Sequence, residues 1–320
     1  MQGTRVTVFG GSGFIGRHLV RRLARAGAVV TVAVRDPEAA MFLKLMGDVG
    51  QVTPVYANVR KPATIGRAVA GADAVVNLVG VLHQSDQTFS ATHTIGARNV
   101  AQAAAQAGIT SLVQLSALGA SSESEALYAR TKAAGEAAVR EHVPTAVILR
   151  PSVVFGPEDD LMNRFGAMSR IAPALPLVGG GTTLFQPVYV GDVADAIVAA
   201  LVRPDAQGRT FELGGPRVMS FREILEFVLR QTGRKALLLP IPFGAAKVLG
   251  ALLQFLPSPP LTLDHVRMLQ DDNVVSDGAL GFADLGITDL ETVEAIVPAY
   301  LARFRKPGRE PGMTADQVAD

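Results

Sequence analysis

The chain has 320 residues, a formal net charge of +1 and no cysteine. The missing thiols exclude disulfides, thiolate-bound zinc, cysteine-ligated iron–sulfur clusters and cysteine nucleophiles, and the near-neutral balance gives no electrostatic case for nucleic acid as a partner. Apolar residues make up 48% and charged residues 18%, which suits a globular α/β protein of one large or two modest domains. The five histidines (His18, His83, His93, His142, His265) have no metal-ligand spacing. The N-terminus enters a strand pattern within a few residues, so no signal peptide is expected. No apolar run reaches the length of a membrane-spanning helix, so no transmembrane segment is expected.

Residues 4–35 read as strand, glycine turn, helix, strand. Arg5 to Phe9 alternate and are rich in Val and Thr. Gly10, Gly11, Gly13 and Gly16 follow at once, and then Ile15, Leu19, Val20, Leu23 and Ala24 recur at helical spacing. Gly11-x-Gly13-x-x-Gly16 matches the dinucleotide fingerprint, and Gly10-x-x-Gly13-x-x-Gly16 matches a wider version. Such glycines permit a sharp turn, backbone approach to a pyrophosphate and close helix packing, with the phosphates at the helix N-terminus. Gly10, Ser12, Gly13, Phe14, Ile15 and Gly16 are therefore cofactor-binding candidates. Arg35 ends the second strand, nineteen residues after Gly16, where an acid would hold the ribose hydroxyls of NAD. A guanidinium suits a 2′-phosphate instead, so NADP(H) is expected in preference to NAD(H), although Asp36 could still reach a ribose hydroxyl.

Helices and strands then alternate. A helix is expected over 37–46, a strand over 51–56, a short helix over 62–70 and an apolar strand over 74–79. A long Ala-rich helix follows over 89–107, a strand over 111–115, a helix over 124–142 and a strand over 145–149. This rhythm predicts an α/β fold: a Rossmann, doubly wound parallel sheet with right-handed crossovers. After Arg150-Pro151, Pro and Gly become frequent, and helices are expected over 193–202, 221–231 and 292–304. We read residues 1–155 as the NADP(H)-binding domain. Residues 156–305 form a smaller C-terminal α+β lobe for substrate or partner, some of it packing back on the sheet, and 306–320 a flexible tail. Residues 242–257, apolar and bounded by prolines, read either as a helix packed on that lobe or as a partner-facing or interfacial helix.

Tyr128 and Lys132 lie four apart on an expected helix and share a face. Ser116 ends the preceding strand, where side chains of a parallel sheet meet the ligand crevice. A phenol is a poor acid–base group near pH 7; a neighbouring ammonium and an oxidised nicotinamide would lower its pKa. Tyr128 could then pass a proton to a carbonyl oriented by Ser116, and Lys132 could also hold the nicotinamide ribose.

With the glycine turn, Ser116, Tyr128-x-x-x-Lys132 and the run from Arg150 to Pro157 in this order, residues 4–202 resemble the extended short-chain dehydrogenase/reductase superfamily. That resemblance implies that Asn58 and Val59 flank the adenine, that Leu78, Val79 and Gly80 line the cofactor, and that Pro151, Ser152, Val153 and Val154 lie beside the nicotinamide. Two positions depart from the pattern. His93 stands where an Asn usually helps to position the catalytic Lys through water, and Asn58 where an Asp is common. His93 could take over that task or simply fill space.

Met46 to Gln51, Met162 to Phe165 and Gln186 to Val193 resemble more closely the NADPH-binding accessory subunits of respiratory complex I and their bacterial relatives. The likeness extends through much of the second half, including the Pro-rich segment near 256–261. It implies a largely structural NADPH, the complex I peripheral arm as partner, and a cytoplasmic location, peripheral on the cytoplasmic face of the inner membrane. The intact Ser116, Tyr128 and Lys132 keep open a reductase, dehydrogenase or epimerase acting on a small-molecule substrate.

Overall fold

Short runs of Val, Ala and Leu form one seven-stranded parallel sheet in the computed structural model, which describes residues 1–82, 88–256 and 259–305. In chain order its strands are β1 (Arg5–Phe9), β2 (Val29–Val34), β3 (Val52–Tyr56), β4 (Ala74–Asn77), β5 (Ser111–Leu115) and β6 (Val147–Pro151). Four short strands follow elsewhere: β7 (Val154–Phe155), β8 (Ala174–Val178), β9 (Leu184–Phe185) and β10 (Val188–Tyr189). The seventh sheet strand is β11 (Thr210–Leu213), and β12 (Met219–Ser220) and β13 (Leu237–Ile241) come after it. The spatial order is β11-β6-β5-β4-β1-β2-β3. Strand order therefore reverses between β1 and β4, and the C-terminal ends of those two strands open the crevice in which such sheets bind ligands. Pro54 lies in β3, an edge strand, where its missing N–H breaks no ladder on the open side.

Side chains alternate across the sheet, so both faces must be covered. Val8 and Val32 face α1 (Phe14–Arg25), where they surround Gly11 together with Val20. Phe9, Ala33, Val75, Leu112 and Ile148 face the other way. There they pack with α2 (Pro62–Val69), α3 (Ala97–Gln106) and α4 (Leu127–His142). α1 lies beside α6 (Val190–Val202), joined by an Arg22–Asp195 ion pair at 2.7 Å. The sheet and these helices form one compact unit: Met1–Ser152, Val190–Gly214 and Val275–Leu290.

The other unit comprises Val153–Tyr189, Gly215–Val274 and the described residues from Glu291 on. It contains α5 (Leu161–Met168), α7 (Phe221–Thr232), α8 (Phe243–Leu253), α9 (Leu263–Met268), α10 (Val293–Leu301) and three strand pairs, β7–β10, β8–β13 and β9–β12. Its core is Phe155, Met162, Met219, Ile224, Phe227, Val228, Val297 and Leu301. A capping box between Ser220 and Glu223 starts α7, and Gly233 at φ +61° ends it. Within the apolar stretch 242–257, α8 buries Ala246 and Gly250 and exposes Val248, Leu249 and Leu252. No helix among the described residues is long and apolar enough to cross a membrane. The C-terminal segment 306–320, His83 and Pro257 lie outside the described residues.

Two expected helices differ. Over 37–46 there is only a 3₁₀ stretch, Met41–Met46, which buries Leu43 and leaves Met41, Phe42 and Leu45 exposed. One buried side chain per six residues is too little packing to support a regular helix. Over 89–107 the chain is π-helical at Ser90–Gly96 before α3 begins. That stretch runs tightly against α4: a Cβ at Gly135 would lie 2.2 Å from the His93 carbonyl oxygen. Gly135→Ala is thus expected to destabilise the protein by at least ~1 kcal/mol, although alanine gains about 1 kcal/mol in helix propensity. Urea unfolding of the two proteins measures the difference.

Candidate functional site

The glycine turn leaves β1 at Gly10, whose φ of +78° suits glycine and whose N–H donates to the Ala33 carbonyl at 3.1 Å. Gly13 N–H closes the turn on the Gly10 carbonyl at 3.0 Å, and Gly13 is the N-cap of α1. A Cβ at residue 16 would lie 2.4 Å from the Gly10 carbonyl oxygen, so only glycine lets the helix start this close to the strand. No side chain caps α1 and its first turn holds no acid. The N–H groups of Phe14, Ile15 and Gly16 therefore present a positive helix end. Arg17 arches back over the turn, donating to the carbonyls of Gly13 and Ser12 at 3.4 Å each and lying over the Phe42 ring.

Gly10 also adjoins the end of β4: a Cβ there would touch Leu78 and Val79 at 3.4 Å. The N–H of Leu78 donates to the Phe9 carbonyl and that of Val79 to Asn77 Oδ1. Gly80 follows, and a Cβ on it would lie 3.3 Å from Lys132 Nζ. Arg35 is exposed just beyond β2. Asp36 accepts the Ala39 N–H through Oδ1 at 3.0 Å, so one carboxylate oxygen is spent on the local turn. Asn58 is buried beyond β3, its Oδ1 accepting the Arg60 N–H, and Val59 packs on Gly96.

Ser116 follows β5, with its N–H bonded to the Leu149 carbonyl at 2.7 Å. Its hydroxyl is buried and has no hydrogen-bond partner among the described residues. Lys132 donates to the Leu115 carbonyl at 3.3 Å, which brings the ammonium to the residue beside Ser116. Lys132 Nζ also lies 5.8 Å from the Tyr128 ring centre. One turn further along α4, Glu136 is buried and held by Arg150 through two bonds of 2.9 and 2.7 Å. Pro151 and Ser152 close β6, with the Ser152 N–H on the Leu213 carbonyl. Val153 and Val154 begin the other unit, where Val153 N–H meets Asn273 Oδ1 at 3.2 Å.

These residues fit a dinucleotide. An uncapped helix end, a turn in which no Cβ could sit at residue 16 and an unpartnered buried hydroxyl all lie on the sheet unit whose strand order reverses at β1 and β4. Residues 6–214 match the NAD dependent epimerase/dehydratase family. This chain belongs to that family.

Members of the family related to this chain differ in what their names say they do. A mitochondrial protein of Arabidopsis thaliana, NADH dehydrogenase [ubiquinone] 1 alpha subcomplex subunit 9, is 39% identical over 99% of this chain and 82% of its own length. A ceramide reductase of Caulobacter vibrioides is 32% identical over 78% of this chain and 77% of its own. Among solved structures, the UDP-glucose 4-epimerase of Thermus thermophilus in complex with NAD superposes with a TM-score of 0.67. It covers 95% of this chain and all of its own, at 21% identity, and so shares the fold.

In this family member burial dominates the electrostatics of Tyr128 and Lys132. Burial pushes Tyr128 up to about 12. Burial also pulls Lys132 down to about 8, opposed by the Glu136 carboxylate. Desolvation disfavours the charged form of each group.

Sequence reasoning missed the Glu136–Arg150 bridge, which joins residues 14 apart across helix and strand. It also left His93 without an assignment. His93 Nε2 accepts the Val81 N–H at 3.0 Å, and Nδ1 lies 3.1 Å from Thr131 Oγ1. Its ring stacks on Phe89 and meets the edge of Tyr128.

Lys132 binds more protons in the unfolded chain than in the folded one between about pH 8 and 10, so its contribution to stability rises with pH over that window. Lys132→Met removes that rise, which is at most ~3 kcal/mol. Urea unfolding at pH 7.5 and 10 on both proteins checks it: the wild type should gain relative to the variant at the higher pH.

Proposed function

We propose that this chain binds NADP(H) in the crevice of the sheet unit and serves as an accessory component of a complex I-type NADH dehydrogenase, with the cofactor mainly stabilising the fold. The observation that carries this reading is the 39% identity, over 99% of the chain, to the mitochondrial NADH dehydrogenase subunit. The glycine turn and the N-terminus of α1 would hold the pyrophosphate. Arg35 would pair with the 2′-phosphate, which favours NADP(H) over NAD(H). Asn58 and Val59 would flank the adenine. Leu78, Val79 and Gly80 would line the cofactor, Pro151 to Val154 would lie beside the nicotinamide, and Lys132 would hold its ribose. A phenol raised to about 12 is a weak acid near neutral pH, which suits a cofactor that rarely turns over. The proposed place is the peripheral arm, on the cytoplasmic face of the inner membrane.

A second reading rests on Ser116, Tyr128 and Lys132 being retained together, and on the 32% identity to a ceramide reductase. Here the chain is an active reductase, dehydrogenase or epimerase on a small molecule, with ceramide-like carbonyl compounds the first to try. When bound, the nicotinamide gives or takes a hydride. Tyr128 would supply the proton, Ser116 would orient the carbonyl and Lys132 would ease loss of the phenolic proton.

Nucleotide released from the purified protein by denaturation should be NADPH by mass, and the native protein should not oxidise it with any carbonyl compound offered. The protein should also sediment with membranes and be lost with the peripheral arm. NADPH that turns over on a protein recovered wholly in the supernatant would transfer the assignment to the reductase reading. Arg35→Glu should weaken NADPH by at least about tenfold and NADH much less; equal losses in titration calorimetry would remove the 2′-phosphate role. If turnover exists, Tyr128→Phe should abolish it with nearly unchanged cofactor affinity, and persisting turnover would show that Tyr128 is not the acid.

A further inference from the structure

His93 sits where three parts of the sheet unit meet. It belongs to the π-helical stretch Ser90–Gly96, its ring faces α4, and its Nε2 reaches the turn that follows β4. A backbone N–H can only donate, so the Val81 N–H at 3.0 Å makes Nε2 an acceptor. The hydrogen of a neutral ring then lies on Nδ1, 3.1 Å from Thr131 Oγ1. Thr131 passes its own hydroxyl hydrogen to the Tyr128 carbonyl at 3.0 Å. Donors and acceptors thus run in one direction, from Val81 through the imidazole and Thr131 to the backbone of α4.

We infer that His93 is a positioning residue: a permanently neutral imidazole, protonated on Nδ1, that ties the Gly80–Val81 turn to helix α4 and so sets the gap between that turn and the Tyr128–Lys132 face. The inference rests on the reading of this crevice as a nicotinamide cofactor site. It gives a geometry to the positioning task expected of His93 and sets aside the space-filling alternative. Mere space filling leaves both ring nitrogens without work, whereas both are engaged. A proton gained on Nε2 would point at the Val81 N–H, so this bond requires the neutral ring. The charged and titratable groups facing the ring, among the described residues, are Lys132 and Tyr128, both from α4; Phe89 covers the other side. Burial, and then the Lys132 charge, hold the ring pKa down to about 3. The close approach of the His93 backbone to α4 accounts for Gly135. A Cβ at residue 80 would lie 3.3 Å from Lys132 Nζ, and one at 135 would strike the His93 carbonyl.

The test uses the full chain with ¹⁵N-labelled histidine. Long-range ¹H–¹⁵N spectra from pH 5 to 8 should show one imidazole in the Nδ1–H form that does not titrate. His93→Phe, which keeps the stack and loses both hydrogen bonds, should delete that signal. If the variant does not fold, single replacements of His18, His83, His142 and His265 assign the signal by exclusion. A midpoint inside this pH range, or an Nε2–H tautomer, overturns the inference. In titration calorimetry, His93→Phe should weaken NADPH by about tenfold. His93→Gln, whose amide can accept from Val81 and donate to Thr131, should recover most of that loss. Wild-type affinity in the Phe variant overturns the positioning role. A wild-type protein that binds neither NADPH nor NADH overturns the cofactor reading instead, while the tautomer result still reports on His93.

Discussion

Helix α1 starts as close to the end of β1 as backbone atoms allow. With a side chain at residue 16 the helix would have to back away from the Gly10 carbonyl, and the turn could not close through Gly13. Much of the crevice depends on this contact. It aims an uncapped helix end over the place where strand order reverses, and it leaves Gly10 room to sit against Leu78 and Val79. An anion met by such a helix end is stabilised by backbone groups whose cost of ordering was met when the sheet folded.

Desolvation governs the other side of the crevice. Tyr128, Lys132 and His93 are all buried, and in each case burial is the largest influence on its proton affinity. Two of these groups resist charging near neutral pH, and the third carries its charge against the carbonyl of Leu115. Glu136 offsets part of the desolvation of Lys132, and Arg150 in turn balances Glu136. The result is a site in which buried polar groups are balanced mainly by one another and by backbone carbonyls.

The family allows both outcomes, since the relatives include a respiratory subunit and a reductase. The glycine turn serves either reading, whereas the retained Ser116–Tyr128–Lys132 set is what the reductase reading rests on. In this chain both nitrogens of His93 are committed, burial raises the Tyr128 phenol, and α8 buries its small residues and exposes its large ones.

Features encoded by local spacing were readable in the sequence alone. Strands β1 and β5 coincide with the expected runs, because an alternating or largely apolar run of five residues between turn signals has few other solutions. The same holds for the glycine turn and for Tyr128 and Lys132, since periodicity fixes which residues share a face. The fate of 37–46 and the π-helical entry to α3 depended on what those segments could pack against. The His93–Val81 and Arg150–Glu136 bonds join elements whose neighbourhood only the folded sheet creates. The direction of the Tyr128 shift belongs with them: sequence shows the ammonium four residues away, but how much water is removed from the pair is settled by everything packed around it. Sequence determined the identity and order of the chemical groups, and tertiary structure decided their protonation and their partners, because desolvation and long-range hydrogen bonds exist only once the chain has closed on itself.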